Sequence, residues 1–354
     1  MRLSALLVIV MLAWTKVAPA ETTKKPLITG SVAGVLDLTW GGSFGNPPHL
    51  LALATTEVAP FPVLHQAALQ IDLNALNERI SLTVVPWTGA MADKIGTVPG
   101  LQVACLTLKA NLTTQWSAVA TGGHCAGHRG YEPVNPSAMA DRYHIMHALP
   151  TYGLPYWNTG AELSLSHAGG LTIAVGMTPS WGGTPSRDPE GLTYYAGIRH
   201  TTPNSYLSYM FSLRPEPGGG RFDGDVALAL SAMGPWSLRL HWNAGGETGA
   251  NARVWTCGVA DVRTKTPKLA NWQLAVSARA DGCHEVRKPE IPALVVDGSR
   301  FAGTVTFSAN PNNWPIHPFV EISAVQTRTP SEGYDPRTGW GGIAVAGLSL
   351  FAKN

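Results

Sequence analysis

Hydrophobic and polar residues alternate along most of the chain, which is the pattern of β-strands whose two faces meet different surroundings. In WNTGAELSLSHAGGLTIAVG, residues 157–176, Leu163 and Leu165 share one face, and Glu162 and Ser164 share the other. The glycine-rich turn HAGG separates this run from a second alternating run. The segment predicts a β-hairpin, but it leaves open whether the apolar face meets another sheet or lipid.

Similar alternating runs continue to the end of the chain, and we predict each of them as a strand. They are Ser31–Trp40, Val63–Leu73, Arg79–Trp87, Gly100–Ala110, the two strands of the hairpin, Leu192–His200, Ser205–Arg214, Asp223–Ala232, Trp236–Ala244, Ala252–Asp261, Asn271–Ala280, Arg300–Ala309, Ile316–Val325 and Gly341–Phe351. Residues 122–139 are predicted as a loop-rich stretch.

The predicted connections alternate in length, as they do in membrane barrels. Residues 201–204 and 233–235 form short turns, whereas residues 178–190, 281–298 and 327–339 form long polar loops. At about 20 residues for each strand and its connections, the chain has room for roughly 14–16 strands. The fold class predicted is all-β: a transmembrane, antiparallel, up-and-down β-barrel.

The N-terminus has the features of a Sec-type signal peptide. A charged start, Met1-Arg2, precedes the apolar run LSALLVIVMLAW, and small residues end at Ala20. This run of about twelve residues is too short for a membrane-spanning helix, although an N-terminal anchor helix is the alternative reading. We therefore expect residues 1–20 to be removed, and residues 21–354 to form a barrel in the outer membrane of a Gram-negative bacterium.

The charge composition agrees with this location. Charged residues make up 14% of the chain, against about 25% in typical soluble domains. The chain has 25 basic and 23 acidic residues, and loss of Arg2 and Lys16 with the signal peptide leaves 23 of each. A neutral mature chain gives no support for a nucleic-acid partner. The 12 tryptophans suit the two membrane interfaces of a barrel.

Four cysteines are present in a chain that is expected to enter an oxidising compartment. They are Cys105, Cys125, Cys257 and Cys283. Four cysteines allow three pairings, of which sequence proximity favours Cys105–Cys125 and Cys257–Cys283. We expect both disulfide bonds to hold extracellular loops.

Three segments resemble the OmpL-like β-barrel porins. The element LPYWNTG, residues 154–160, is similar to a Pro-aromatic-(aromatic or His)-x-Thr-Gly segment of that family. GSVAGVLDLTWG resembles the opening strand of the family, and LHQAALQIDLNALNERISLTVV resembles its second hairpin. The resemblance covers about a third of the chain and implies an outer-membrane channel of unsettled substrate, with no catalytic residues to carry over.

Two groups of residues have side chains that are suited to metal binding or catalysis, but a structural role explains each group better. His124, Cys125 and His128 could bind zinc or copper, but a disulfide-bonded Cys125 has no thiolate to offer. Ser166 and His167 are neighbours, but strand alternation places them on opposite faces. We therefore predict no enzyme activity, no catalytic residue, no metal site and no cofactor.

Ionisable residues on the polar faces of the predicted strands are the candidate pore lining. If the apolar faces meet lipid, the polar faces meet a water-filled lumen, because a basic side chain in midplane lipid costs about 2–4 kcal/mol. The candidates are Arg199, Arg214, Arg239, Arg279, Asp37, Asp72 and Glu162. The alternative is that these charges are scattered near the rims. The basic residues come from later strands than the acidic ones, which predicts a transverse field and weak anion selectivity.

The function that these patterns favour is that of a porin-like channel for passive diffusion of small polar solutes or ions. Its partners would be outer-membrane lipid and those solutes, and the chain could assemble into a homo-oligomer. Two alternatives remain. One is a structural or partner-docking barrel that is plugged by residues 122–139. The other is a soluble exported β-sandwich that binds a ligand.

Overall fold

The computed structural model describes residues 28–45, 60–90, 92, 100–126, 144, 157–178, 192–216, 219–249, 252–267, 272–287, 296–311, 315–330 and 336–353. The predicted signal peptide lies outside these residues. The strands are β1 Ile28–Gly45, β2 Val63–Ala75, β3 Ile80–Thr88, β4 Leu101–Asn111, β5 Trp116–Ala126, β6 Trp157–His167, β7 Leu171–Thr178, β8 Thr193–Thr201, β9 Ser205–Glu216, β10 Gly219–Met233, β11 Trp236–Thr248, β12 Arg253–Lys265, β13 Trp272–Arg287, β14 Val296–Pro311, β15 Ile316–Pro330 and β16 Pro336–Lys353.

These sixteen strands form one closed barrel in chain order. Every strand pairs antiparallel with its sequence neighbours, and β16 pairs with β1, where Val35 lies opposite Phe351. The predicted fold class is confirmed, at the upper end of the predicted strand number. The sandwich alternative is wrong because a sandwich consists of two sheets with open edges, whereas this sheet closes on itself.

Some predicted boundaries are wrong. The prediction lacks β5, and it assigned residues 122–126 to a loop although they end this strand. The predicted loops 281–298 and 327–339 lose residues at both ends to β13, β14, β15 and β16. In each case the end of a strand was predicted as a loop, because polar and glycine-rich residues are typical of loops and also occur at the ends of these strands.

The barrel has two different ends. β1 begins and β16 finishes at one of them, which we call the terminal end. Its connections are short, such as residues 76–79, 112–115 and 168–170. The opposite end, which we call the loop end, carries long connections such as residues 127–156, but β9 and β10 are joined there by only two residues.

The outer surface is an apolar belt. Leu163, Tyr209, Leu240 and Phe307 are representative, with 38–54% of each residue exposed. Aromatic residues are exposed near both ends of the belt. Trp236 and Trp272 lie near the terminal end, and Phe44 and Trp340 contact each other near the loop end, with ring centroids 6.5 Å apart. Such aromatic girdles mark the interfaces of a membrane barrel. None of the helical residues described here forms a helix long and apolar enough to cross a membrane.

The interior has one sector with an apolar cluster, which we call the apolar sector although it also contains buried polar residues, and one mostly polar sector. On β1 to β4 the buried residues Val35, Ala68, Val85, Trp87 and Val103 form one cluster. The neighbouring strand β16 adds inward-facing Ile343 and Val345, each 2% exposed. Buried or half-buried charged residues are most frequent on the inner faces of β6 and β8 to β15, and Asp37 and Asp72 lie on β1 and β2. The candidate site is therefore this polar sector.

Candidate functional site on the inner face of the barrel

Strand alternation separates the polar interior from the apolar exterior. On β11, His241 and Asn243 are 3% and 2% exposed, whereas Leu240 and Trp242 are 38% and 49% exposed. The same division appears in the hairpin of β6 and β7, where Glu162 is buried. The apolar face of the hairpin therefore faces outward, and its polar face faces into the barrel.

The four predicted basic residues lie on the inner faces of β8, β9, β11 and β13, in two kinds of surroundings. Arg199, Arg214 and Arg239 are half-buried. Arg279 is 5% exposed, and its guanidinium donates to Asp281 Oδ1 at 3.2 Å and to Thr304 Oγ1 at 3.4 Å. Arg279 is thus part of the wall packing, while the other three have more open positions.

The three predicted acidic residues are held by neighbours on the inner wall. Asp37 on β1 is fully buried and accepts a hydrogen bond from Gln66 Nε2 at 2.7 Å. Asp72 on β2 accepts bonds from Gln70 Nε2 and Thr83 Oγ1, each at 2.7 Å.

The third acidic residue, Glu162 on β6, accepts a hydrogen bond from the Tyr195 hydroxyl at 3.1 Å. Asp37 and Asp72 lie on strands that contribute to the apolar sector, away from the basic residues in the barrel order. Glu162 is closer, two strands from Arg199.

The sequence prediction missed several carboxylates that lie beside the basic residues. Asp225 on β10, Asp261 on β12, Asp281 on β13 and Glu321 on β15 are at most 5% exposed. Asp225 is hydrogen-bonded to the ring of His241 on the next strand. The separation of charge around the barrel is therefore less complete than the predicted candidates suggest. Alternation could have identified Asp261, because it is next to outward-facing Val262.

His144 is a buried residue from the β5–β6 connection. It lies against β12, β14 and β15, which are far from β5 and β6 in the barrel order. Its Nε2 is 3.0 Å from Asp261 Oδ1, and its Nδ1 is 2.6 Å from Thr306 Oγ1 and 3.6 Å from Glu321 Oε2. A connection at one side of the loop end thus contributes a side chain to the opposite inner wall.

The contacts of His144 indicate an imidazolium. The Thr306 hydroxyl donates to Glu321 Oε2 at 2.6 Å, so it accepts from His144 Nδ1–H. The Nε2–H donates to the Asp261 carboxylate. Burial lowers the pKa of His144, but the hydrogen bonds to Asp261 and Glu321 outweigh it, and the net pKa is raised above 6.5. The site therefore holds a positive charge between two carboxylates.

A ladder of alternating charges lies nearer the loop end of the same wall. Arg221 on β10 pairs with Glu247 on β11 at 2.9 Å. Arg253 on β12 pairs with Glu247 at 2.7 Å and with Glu285 on β13 at 3.5 Å. Both guanidinium groups also contact the Trp255 ring, at 4.8 and 5.4 Å from its centroid. Two cations and two anions balance each other in this ladder.

Basic residues gather at the terminal end of the wall. Arg239 on β11 and Arg263 and Lys265 on β12 line a cavity of about 620 Å³. From loop end to terminal end, the inner wall of β10 to β13 therefore carries a balanced ladder, a layer rich in carboxylates and a basic cavity.

The two favoured disulfide bonds are present, so this prediction is confirmed. Cys105 bonds to Cys125 and Cys257 bonds to Cys283. The expectation that they hold loops is wrong, because all four cysteines lie within strands. Cys257 is directly opposite Cys283 in the β12–β13 register. Each bond joins two adjacent strands on their inner faces.

The residues considered for chemistry are separated in the structure. Ser166 contacts Thr172 Oγ1, whereas the ring of His167 contacts Gln115 Oε1. Cys125 is in a disulfide bond, and His128 lies outside the described residues. Among the residues that the structure describes, no group of three or more His, Cys, Asp or Glu side chains is arranged to hold a metal ion.

Comparisons with known proteins give matches in structure but none in sequence. No family model matches the chain, and no curated protein sequence matches it. The resemblance to OmpL-like porins therefore stays a prediction.

Three solved outer-membrane barrels share the fold at low sequence identity. The outer-membrane-expressed OmpT of Vibrio cholerae has a TM-score of 0.58 at 9% identity, covering 94% of this chain and 100% of that chain. The outer-membrane channel DcaP of Acinetobacter baumannii has a TM-score of 0.56 at 9% identity, with the same two coverages. An anion-selective porin from Comamonas acidovorans has a TM-score of 0.57 at 8% identity, covering 92% of this chain and 100% of that chain. This chain therefore has the fold of outer-membrane porins.

Proposed function

We propose that the protein is a porin-type channel for passive diffusion of small polar solutes or ions across the outer membrane of a Gram-negative bacterium. The observation that carries the proposal is the division between the two faces of one closed barrel. The exterior is an apolar belt with aromatic ends, and one sector of the interior is lined with ionisable side chains. A surface of this kind suits lipid on the outside and water on the inside.

The names of similar structures support the proposal. DcaP is described as an outer-membrane channel, and the Comamonas acidovorans protein is described as an anion-selective porin. Passive diffusion requires no cofactor and no covalent chemistry, so we assign no enzyme activity. One Vibrio cholerae OmpT structure is described as a trimer form, and we propose a homo-oligomer for this chain as well.

The pore-lining residues that we propose are the three half-buried arginines, Arg199, Arg214 and Arg239. Asp37, Asp72, Glu162 and Arg279 are proposed as wall residues that shape the field of the lumen while remaining bonded to their neighbours. Residues 1–20 are proposed to be removed on export, which N-terminal sequencing of the mature protein tests.

Planar-bilayer recording tests the channel proposal. Residues 21–354, refolded in detergent and added to one side of the bilayer, should give stepwise and reproducible conductance increments. Folding is checked beforehand by heat-dependent migration on a denaturing gel, which detects a closed barrel. A folded barrel that inserts into liposomes but gives no increments would contradict the proposal.

A plugged barrel is the second candidate function, and His144 is the observation that favours it. This residue of the β5–β6 connection is bonded to the far inner wall. If the connection blocks passage, the wild-type barrel is silent and the His144→Ala variant conducts. If the connection only narrows the lumen, both proteins conduct and the variant has the larger increment.

A further inference from the structure

The basic cavity at the terminal end is built from two neighbouring strand connections. Its walls are the ends of β10 to β13, and its rim includes Pro235 and Pro267. Backbone hydrogen bonds brace this rim, since Lys265 N donates to the Pro235 carbonyl at 3.1 Å and Thr266 N donates to the Leu274 carbonyl at 2.9 Å. The cavity therefore lies on paired backbone that holds its side chains in place.

Among the residues that the structure describes, the charged side chains of the cavity lining are all basic. They are Arg239, Arg263 and Lys265. Ser231, Ser237, Thr266 and Gln273 add hydroxyl and amide groups. Arg263 is 3% exposed, so part of this positive charge is in a largely desolvated position.

Two guanidinium groups and one ammonium group around one cavity attract an anion that enters it. The nearest carboxylate along β12 is Asp261, which is opposite Arg239 in the register. Asp261 is also bonded to His144 at 3.0 Å, so its negative charge is shared with an imidazolium. Asp261 is not part of the cavity lining, whose described members are basic or neutral.

We propose that this cavity binds small phosphate-bearing solutes as they pass through the barrel. Guanidinium groups bind phosphate through paired N–H donors, and lysine adds a further point charge. A phosphate monoester carries about 1.5–2 negative charges at neutral pH, so a basic lining attracts it more strongly than it attracts a monovalent anion. The volume of about 620 Å³ accommodates a small phosphorylated metabolite. The cavity lies on the inner face, so it faces dissolved solutes and not lipid headgroups. This inference rests on the proposed channel function.

The test uses inorganic phosphate as the probe and the refolded full barrel as the protein. Calorimetry in detergent at pH 7 and constant ionic strength measures binding directly. The wild type should bind phosphate saturably, and Arg239→Gln combined with Lys265→Gln should weaken binding at least about tenfold. The variant Ser237→Asp should also weaken phosphate binding, because the substitution places a carboxylate among the basic side chains. This variant replaces the double variant in the test if the double variant fails to fold.

The matched control is Lys109→Gln, which removes an exposed cation on β4 from the same end of the barrel but outside the cavity. Its affinity for phosphate should equal that of the wild type. Wild-type protein without saturable binding, or an equal loss of affinity in the control, would overturn the proposal.

Current recordings separate this inference from the channel proposal. In a conducting barrel, phosphate should reduce the chloride current with the same half-saturating concentration that calorimetry gives. If the barrel binds phosphate through the cavity but never conducts, the binding proposal is supported and only the channel proposal is contradicted. A barrel that conducts but binds no phosphate would contradict only the site.

Discussion

Individual side chains on the inner wall are held in place by hydrogen-bond partners that are distant in sequence. His144 is the strongest case, because its two ring nitrogens contact residues on β12 and β14. A buried imidazole between carboxylates stabilises the folded barrel only while the ring is protonated. Its contribution to the stability of the barrel must therefore depend on pH.

We expect the His144→Gln variant to lose this pH dependence. Since the folded-state pKa of His144 is raised above 6.5, the stabilisation is fully present below about pH 6.5 and is lost as the pH rises through the raised value. Urea unfolding between pH 5.5 and 8.5, followed by tryptophan fluorescence, should show a wild-type advantage at the acidic end that shrinks at the alkaline end. A difference that is constant across this range would show that His144 does not titrate there.

At this scale, sequence patterns predict the face of a residue but not its partner. Alternation placed Arg239 and Glu162 on the polar side because neighbouring leucines define the opposite side. The same rule places Asp261 inside, because its neighbour Val262 faces outward. No pattern could have predicted the contacts of His144, since a residue outside the strands has no periodicity and these contacts depend on the whole barrel.

At the scale of strands and turns, the two faces of each strand meet different surroundings. The outer face of β11 carries exposed Leu240 and Trp242, and its inner face carries polar residues. Each strand therefore tolerates polar substitutions on one face only.

We expect Leu240→Arg to impair insertion far more than Arg239→Leu does. The first substitution places a charge in hydrocarbon at a cost of about 2–4 kcal/mol, whereas the second removes a charge from the inner face. Folding yields into liposomes, compared at equal protein concentration, measure the difference. Similar yields for the two variants would mean that this strand does not face lipid.

The β6–β7 turn depends on one glycine. Gly170 has a φ of +93°, and a side chain there would collide with the carbonyl of Thr201 on β8. We expect Gly170→Ala to lower barrel stability by at least about 1–2 kcal/mol, measured by urea unfolding. Gly169→Ala is the control, since its added carbon would meet only the end of the His167 side chain and should have a smaller effect.

Strand prediction succeeded where alternation was clear and failed where it was interrupted. β5 was missed because WSAVATGGHCA contains two glycines, a histidine and a cysteine, which together read as a loop. Pairing with β4 and β6 nevertheless makes it a regular strand. Backbone pairing in a closed sheet thus overrides weak local preference.

At the scale of the whole molecule, the main feature is that the sheet closes on itself. The pairing of β1 with β16 leaves no free strand edge, and two disulfide bonds tie adjacent strands together on opposite parts of the wall. The up-and-down topology followed from the alternating segments, and chain length gave a range of roughly 14–16 strands. The layers of charge along the inner wall did not, because they depend on register between strands and on how far each strand extends.

The order of these layers has an electrical consequence. The described inner wall of β10 to β13 is balanced nearer the loop end and basic nearer the terminal end. An ion that enters from one end therefore meets different charges from an ion that enters from the other, so the open barrel should rectify current. Recordings with all molecules inserted in one orientation, at equal salt on both sides, should give unequal currents at equal positive and negative voltages. The asymmetry should diminish at 1 M salt, where screening shortens to about 3 Å, and it should be weaker in Arg239→Gln combined with Lys265→Gln. A linear current–voltage curve at low salt would show that ions do not sense the basic cavity, and the barrel would then conduct as a symmetrical resistor despite its two unlike mouths.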